Sequence, residues 1–101
     1  MYCRDGQKRR WSVKLVHKLK VQNALGLHTR PAAAIVKLLQ LRKSSVQFTY
    51  KDETINARSI MSILMLAARK NALITVTIEG DDAEITLAQL INAFDERFGE
   101  K

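Results

Sequence analysis

The sequence predicts an α+β domain, an antiparallel sheet with helices packed on one face, its elements in the order βαββαβα. Three observations predict it: extended stretches that alternate or are β-branched, apolar residues at helical spacing between them, and short polar connections with no internal repeat or low-complexity linker. In the first stretch Val13, Leu15, Leu19 and Val21 fall on one side and Lys14, Lys18 and Lys20 on the other, the pattern of a half-buried strand. His17 shares the apolar parity and reads as a semi-buried or edge histidine. Pro31 opens a helix of about three turns in which Ala32, Ile35, Val36 and Leu39 recur at helical spacing, ending near Arg42 to Ser44. Val46, Phe48 and Tyr50 alternate with Gln47 and Thr49; after Lys51-Asp52-Glu53 a shorter extended piece, Thr54 to Ala57, makes a hairpin. Ser59 can cap a helix through Ala68, with Asn71 leaving it in a left-handed conformation. Leu73 to Glu79 is a β-branched strand, Gly80-Asp81-Asp82 a turn, and Leu87, Leu90, Ile91, Phe94 and Phe98 mark a final amphipathic helix. The expectation is therefore a four-stranded antiparallel sheet with three helices on one face.

At 101 residues the chain holds one domain. Residues 1–12, where Arg4, Lys8, Arg9 and Arg10 face only Asp5, read as a flexible basic N-terminal extension, and residues 13–101 as the domain. A composition 47% hydrophobic and 27% charged excludes a disordered polymer. Cys3 is the sole cysteine, so no internal disulfide forms, and with only His17 and His28 beside it a four-ligand zinc site is excluded; neither metal nor cofactor is expected. The apolar runs Ala32 to Val36 and Ile60 to Ala68 fall far short of the roughly 20 residues of a membrane span, so a soluble, cytoplasmic protein is expected. So small a core leaves no deep cavity, which places any chemistry near the surface.

The net charge of +7 is uneven: residues 1–78 hold fifteen Lys and Arg against three Asp and Glu, whereas residues 79–101 hold two against seven. Such a field favours acidic partners. Nucleic acid is not expected, because six aromatics, mostly at core-parity positions, give no stacking platform.

The chemistry lies in Gly26-Leu27-His28-Thr29-Arg30-Pro31-Ala32-Ala33. Here a histidine stands at the mouth of a helix whose free N–H groups and dipole favour an anion. That positive end disfavours the imidazolium and leaves a ring with a free lone pair, a nucleophile. Arg30 can meet phosphate oxygens, and Gly26 removes bulk where the chain turns into the helix. Together they suggest phosphoryl transfer through a phosphohistidine. The same residues also fit a surface capping histidine and a solvated arginine. A second signal is Ser59 to Ala68, apolar nearly all round, which leaves Ile60, Met61 and Leu64 as candidates for an exposed docking face.

The segment GLHTRPAA, with the later RSIM, resembles the HPr family of histidine phosphocarriers of the bacterial phosphoenolpyruvate-dependent phosphotransferase system, over about residues 14 to 98. The resemblance implies an open-faced β-sandwich of the same βαββαβα order. It implies that phospho-enzyme I phosphorylates His28 on Nδ1, that Arg30 assists, and that the group passes to enzyme IIA-type acceptors. Partner contacts are implied at Thr29, Arg30, Ala33, Ile60, Met61 and Leu64, and regulatory phosphorylation of Ser59 by an HPr kinase/phosphorylase. Phosphate there would set nearly two negative charges beside the apolar face, impairing docking without unfolding. The expected protein is a monomeric carrier rather than a free-standing enzyme.

The chain departs from the family pattern at Leu25, where sugar-branch relatives usually have Asn or Ser, at Asp52 in the hairpin turn and at Asn71 after the second helix. Asn23-Ala24-Leu25-Gly26 and Ser62 to Leu66 resemble the nitrogen-related branch. The alternative is accordingly a regulatory binding module whose phosphorylation state is sensed by partners, with little role in sugar transport.

Overall fold

The computed structural model describes residues 13–100; the expected extension, 1–12, lies outside the described residues. Strands β1 (Val13–Lys20), β2 (Ser45–Tyr50), β3 (Glu53–Asn56) and β4 (Leu73–Gly80) form one sheet in the order β1-β4-β2-β3, every pair antiparallel. Helices α1 (Thr29–Gln40), α2 (Ile60–Leu66) and α3 (Ala83–Asp95) lie between and after the strands, followed by a short turn, Arg97–Gly99.

Register explains which face is covered. Leu15 pairs with Ile78 and Ile78 with Val46; Leu19 pairs with Ile74; Val76 pairs with Phe48 and Phe48 with Ile55. Since directly paired residues share a face, these form one apolar layer. Against it α1 buries Ala32, Ile35 and Leu39, α2 buries Ile63 and Leu66, and α3 buries Ala83, Leu90 and Phe94. Phe94 meets Phe48 edge-on at 6.2 Å and Phe98 at 5.0 Å between ring centroids. The opposite face carries Lys14, Val16, Lys18, Lys20, Ser45 and Gln47, all exposed. The open-faced sandwich expected from the sequence is the fold. His17 has core parity, pairing with Val76, but lies on edge strand β1 and is exposed.

Element ends differ from the sequence reading, each time because tertiary contacts override local signals. Helix α1 starts at Thr29, two residues before Pro31, and stops at Gln40 rather than Arg42 to Ser44. Arg58 sets that end, donating from Nη1 to the carbonyl of Leu39 at 2.7 Å and from Nη2 to those of Arg42 at 2.8 Å and Ser44 at 2.6 Å. Helix α2 ends at Leu66, not Ala68, and Ala67 rather than Asn71 is its left-handed cap, with φ 54°. Ala68 leaves the helix because its carbonyl accepts the N–H of Leu27 at 3.0 Å. Asn71 is also left-handed, but in the turn into β4, where its N–H donates to Val21 at 2.7 Å. The last helix stops at Asp95; Arg97 and Phe98 then take φ of 56° and 53°, folding Phe98 back onto Phe94.

Candidate functional site

His28 is the N-cap of α1, in extended conformation, and its side chain makes no capping hydrogen bond. Its carbonyl accepts the N–H of Ala32 at 3.0 Å, the first helical bond. Pro31 has no N–H, so among the described residues the amides of His28, Thr29 and Arg30 are those at this helix mouth without a backbone partner. No acidic side chain occupies the first turn of α1, and its positive end is uncancelled from within the helix.

The loop before His28 is fixed by its neighbours. Gly26 has φ +71°, and a Cβ there would lie 2.3 Å from the Ala68 carbonyl oxygen and 2.9 Å from the Arg69 Cα. Only glycine lets the chain pass that close to the end of α2. Leu27, 3% exposed, anchors the next step in the core, and the histidine ring is thrown outward with 33% of its side chain exposed.

Two residues at the site, Glu100 and Asn23, were not legible as such in the sequence. Glu100, from the turn after α3, brings Oε2 to 2.9 Å and Oε1 to 3.2 Å from His28 Nε2. The Nδ2 of Asn23, 1% exposed, donates to Glu100 Oε1 at 2.5 Å and to the Arg97 carbonyl at 2.8 Å. That hydrogen bond from Asn23, with help from His28 and Arg30, holds the Glu100 carboxyl below its ordinary range despite desolvation that raises it. No spacing rule joins residues 23, 28 and 100; the signal exists only in three dimensions.

Arg30, Ala24, Leu25, Gly99 and Glu100 line a surface cleft of about 460 Å³. Thr29, Arg30 and Ala33 are exposed on α1. On α2, Ile60 is 37% and Met61 67% exposed, whereas Leu64 is half-buried and packs against the core. Met65 and Leu25, not anticipated as surface residues, are 74% and 77% exposed. Ser59 caps α2, its Oγ accepting the N–H of Ser62 at 3.2 Å. Among the described residues no cluster of His, Cys, Asp and Glu could hold a metal ion, and no helix is long and apolar enough to cross a membrane.

Comparison with known proteins bears on the family and the fold. The family described as "PTS HPr component phosphorylation site" matches residues 15–96. The phosphocarrier protein HPr of Chlamydia pneumoniae is 49% identical over 80 residues, covering 79% of this chain and 74% of its own. Among solved structures, HPr-C-His from Thermoanaerobacter tengcongensis superposes with a TM-score of 0.82 at 30% identity, over 86% of this chain and 98% of its own. The HPr of Bacillus anthracis does so with a TM-score of 0.77 at 33% identity, over 81% and 98%. The chain therefore belongs to the HPr family, the phosphocarriers of the phosphotransferase system.

Proposed function

We propose that this protein carries a phosphoryl group on His28, receiving it from phospho-enzyme I and passing it to enzyme IIA-type acceptors. The observation that carries the reading is that His28 holds the N-cap position without using its ring as a cap, which leaves the imidazole for chemistry at a helix mouth with unpartnered N–H groups. Nε2 faces Glu100, so Nδ1 is the nitrogen open to phosphorus. The step is an in-line displacement: Nδ1 forms a bond to phosphorus while the bond to the donor's leaving atom breaks with its electron pair. Arg30 and the first amides of α1 meet the charge on the equatorial oxygens.

The docking face comprises Thr29, Arg30 and Ala33 of α1 with Ile60, Met61 and Leu64 of α2, to which Met65 and Leu25 add apolar surface. Ser59, at the rim of that face, is the regulatory phosphorylation site for an HPr kinase/phosphorylase. The domain is residues 13–101 and acts in the cytoplasm as a monomer. A purely regulatory module is not favoured, since the matched relatives are named as phosphocarriers.

The test is intact mass after incubation with phosphoenolpyruvate and enzyme I. The expected result is one acid-labile phosphoryl adduct in the wild type and none in a folded His28→Ala variant; an adduct that persists in the variant removes the assignment.

A further inference from the structure

Building on the phosphocarrier reading, we propose that Glu100 is a positioning residue for His28, its carboxylate holding the ring proton on Nε2 so that the Nδ1 lone pair stays open to phosphorus. An ionised carboxylate only accepts hydrogen bonds, so an imidazole nitrogen 2.9 Å from it must be the protonated one. The neutral ring has a single N–H, and placing it on Nε2 leaves Nδ1 as the base.

The carboxylate is itself held in place. Asn23 is buried and its Nδ2 lies between two acceptors, the Arg97 carbonyl and Glu100 Oε1, so the amide can point only one way. Arg97 and Phe98 adopt left-handed backbone, uncommon for such side chains, and this bend delivers Glu100 to the histidine. Among the described residues, Glu100 from the turn after α3 is the charged group in contact with His28, and Arg30 from α1 acts on Glu100 in turn.

The transfer then needs no proton movement on this chain. Nδ1 donates its pair to phosphorus, the donor keeps the pair of the broken bond, and the ring becomes a phosphoimidazolium with its proton still on Nε2. Glu100 neutralises that cation. Because the ring stays cationic, Nδ1 remains a good leaving atom for the onward step.

Glu100→Gln gives the sharpest test, because of Asn23. The Asn23 N–H demands an acceptor, so the Gln carbonyl turns toward it and the Gln amide turns its N–H groups toward His28 Nε2. A donor facing Nε2 forces the ring proton onto Nδ1, the wrong tautomer. The isosteric variant should therefore be worse than the truncation Glu100→Ala, which leaves both tautomers free; loss of packing alone predicts the reverse order.

The experiment is imidazole ¹⁵N NMR of the full chain at about pH 8.5, well above ordinary histidine titration, together with initial rates of phosphoryl acceptance from phosphoenolpyruvate and enzyme I. Expected are an Nε2–H tautomer in the wild type, a shift to Nδ1–H in Glu100→Gln, and acceptance about tenfold slower in Gln, with Ala between the two. Unchanged tautomers, Gln no slower than Ala, or Gln as fast as wild type overturns the proposal. If Gln fails to fold, an undiminished Nε2–H preference in the Ala variant overturns it instead. A wild type that accepts no phosphoryl group defeats the phosphocarrier reading, while the tautomer, read without any enzyme, still decides the role of Glu100.

Discussion

Arg30 and Gly26 bracket the histidine and do opposite things. Gly26 is a structural necessity: its positive φ and the 2.3 Å approach of a hypothetical Cβ to the Ala68 oxygen leave no room for a side chain. Arg30 is exposed and absent from the buried core, so its removal should leave the fold alone. Arg30→Ala is expected to lower the rate of phosphoryl acceptance roughly tenfold, less than a buried anion-binding donor would because water screens it. Its unfolding free energy should stay within about 0.5 kcal/mol of wild type. Stopped transfer measurements beside thermal unfolding check both; a large stability loss with a normal rate would show that Arg30 is structural. The glycine and the arginine were both visible in the sequence, but the reason for the glycine was not, since the obstructing backbone belongs to residues 68 and 69.

At the scale of elements, α2 is seven residues long and relies on its cap and on packing. Ser59→Ala removes the bond to the Ser62 N–H and should cost about 1 kcal/mol, measured by urea unfolding. Ser59→Asp restores a capping acceptor and adds a charge that suits a helix N-terminus, so it should recover most of that stability. The same charge at the rim of the Ile60 and Met61 surface should weaken transfer with enzyme I several-fold. An Asp variant as active as wild type would remove the electrostatic account of Ser59 regulation. The hairpin between β2 and β3 shows a different element-level compromise: Lys51 and Asp52 both have positive φ, at 49° and 68°, as a tight mirror-image turn requires. Asp tolerates that region, so the turn survives the missing glycine, as the sequence indicated.

Across the whole molecule, Asp82 ties the connection between α1 and β2 to the start of α3. Its carboxylate accepts the Lys43 N–H at 2.8 Å, the Ser44 N–H at 2.9 Å and the Ser44 hydroxyl, while its backbone carbonyl accepts the Thr86 hydroxyl at 2.8 Å. The Ser44 side chain, then the Lys43 amide, lowers its pKa from 3.8 to about 2. A depressed carboxyl pKa means that the unfolded chain binds the proton more readily. The stabilisation is thus complete above pH 3.8 and is lost as pH falls toward about 2. After allowance for partial solvent exposure it amounts to about 1 kcal/mol. Asp82→Asn should be less stable than wild type at neutral pH, and the gap should narrow in this acidic window. Unfolding midpoints measured from pH 6 to about pH 2 check this; a constant gap would show that the charge of Asp82 contributes nothing.

The sequence by itself determined the element order, the apolar face of each strand, the histidine at a helix mouth and the exposed character of Ile60 and Met61. Each of these is local: strand and helix periods, a glycine, a proline and a cap are written within a few residues of one another. Only the tertiary structure decided where α1 and α2 stop, because Arg58 takes carbonyls from the end of α1 and Leu27 takes the carbonyl of Ala68. It also decided that Asn23 and Glu100 join the site, from 77 residues apart, through a bend at Arg97 and Phe98 that no local propensity favours. A hydrogen bond between distant residues leaves no period in the chain, so packing alone specifies which nitrogen of His28 is left free.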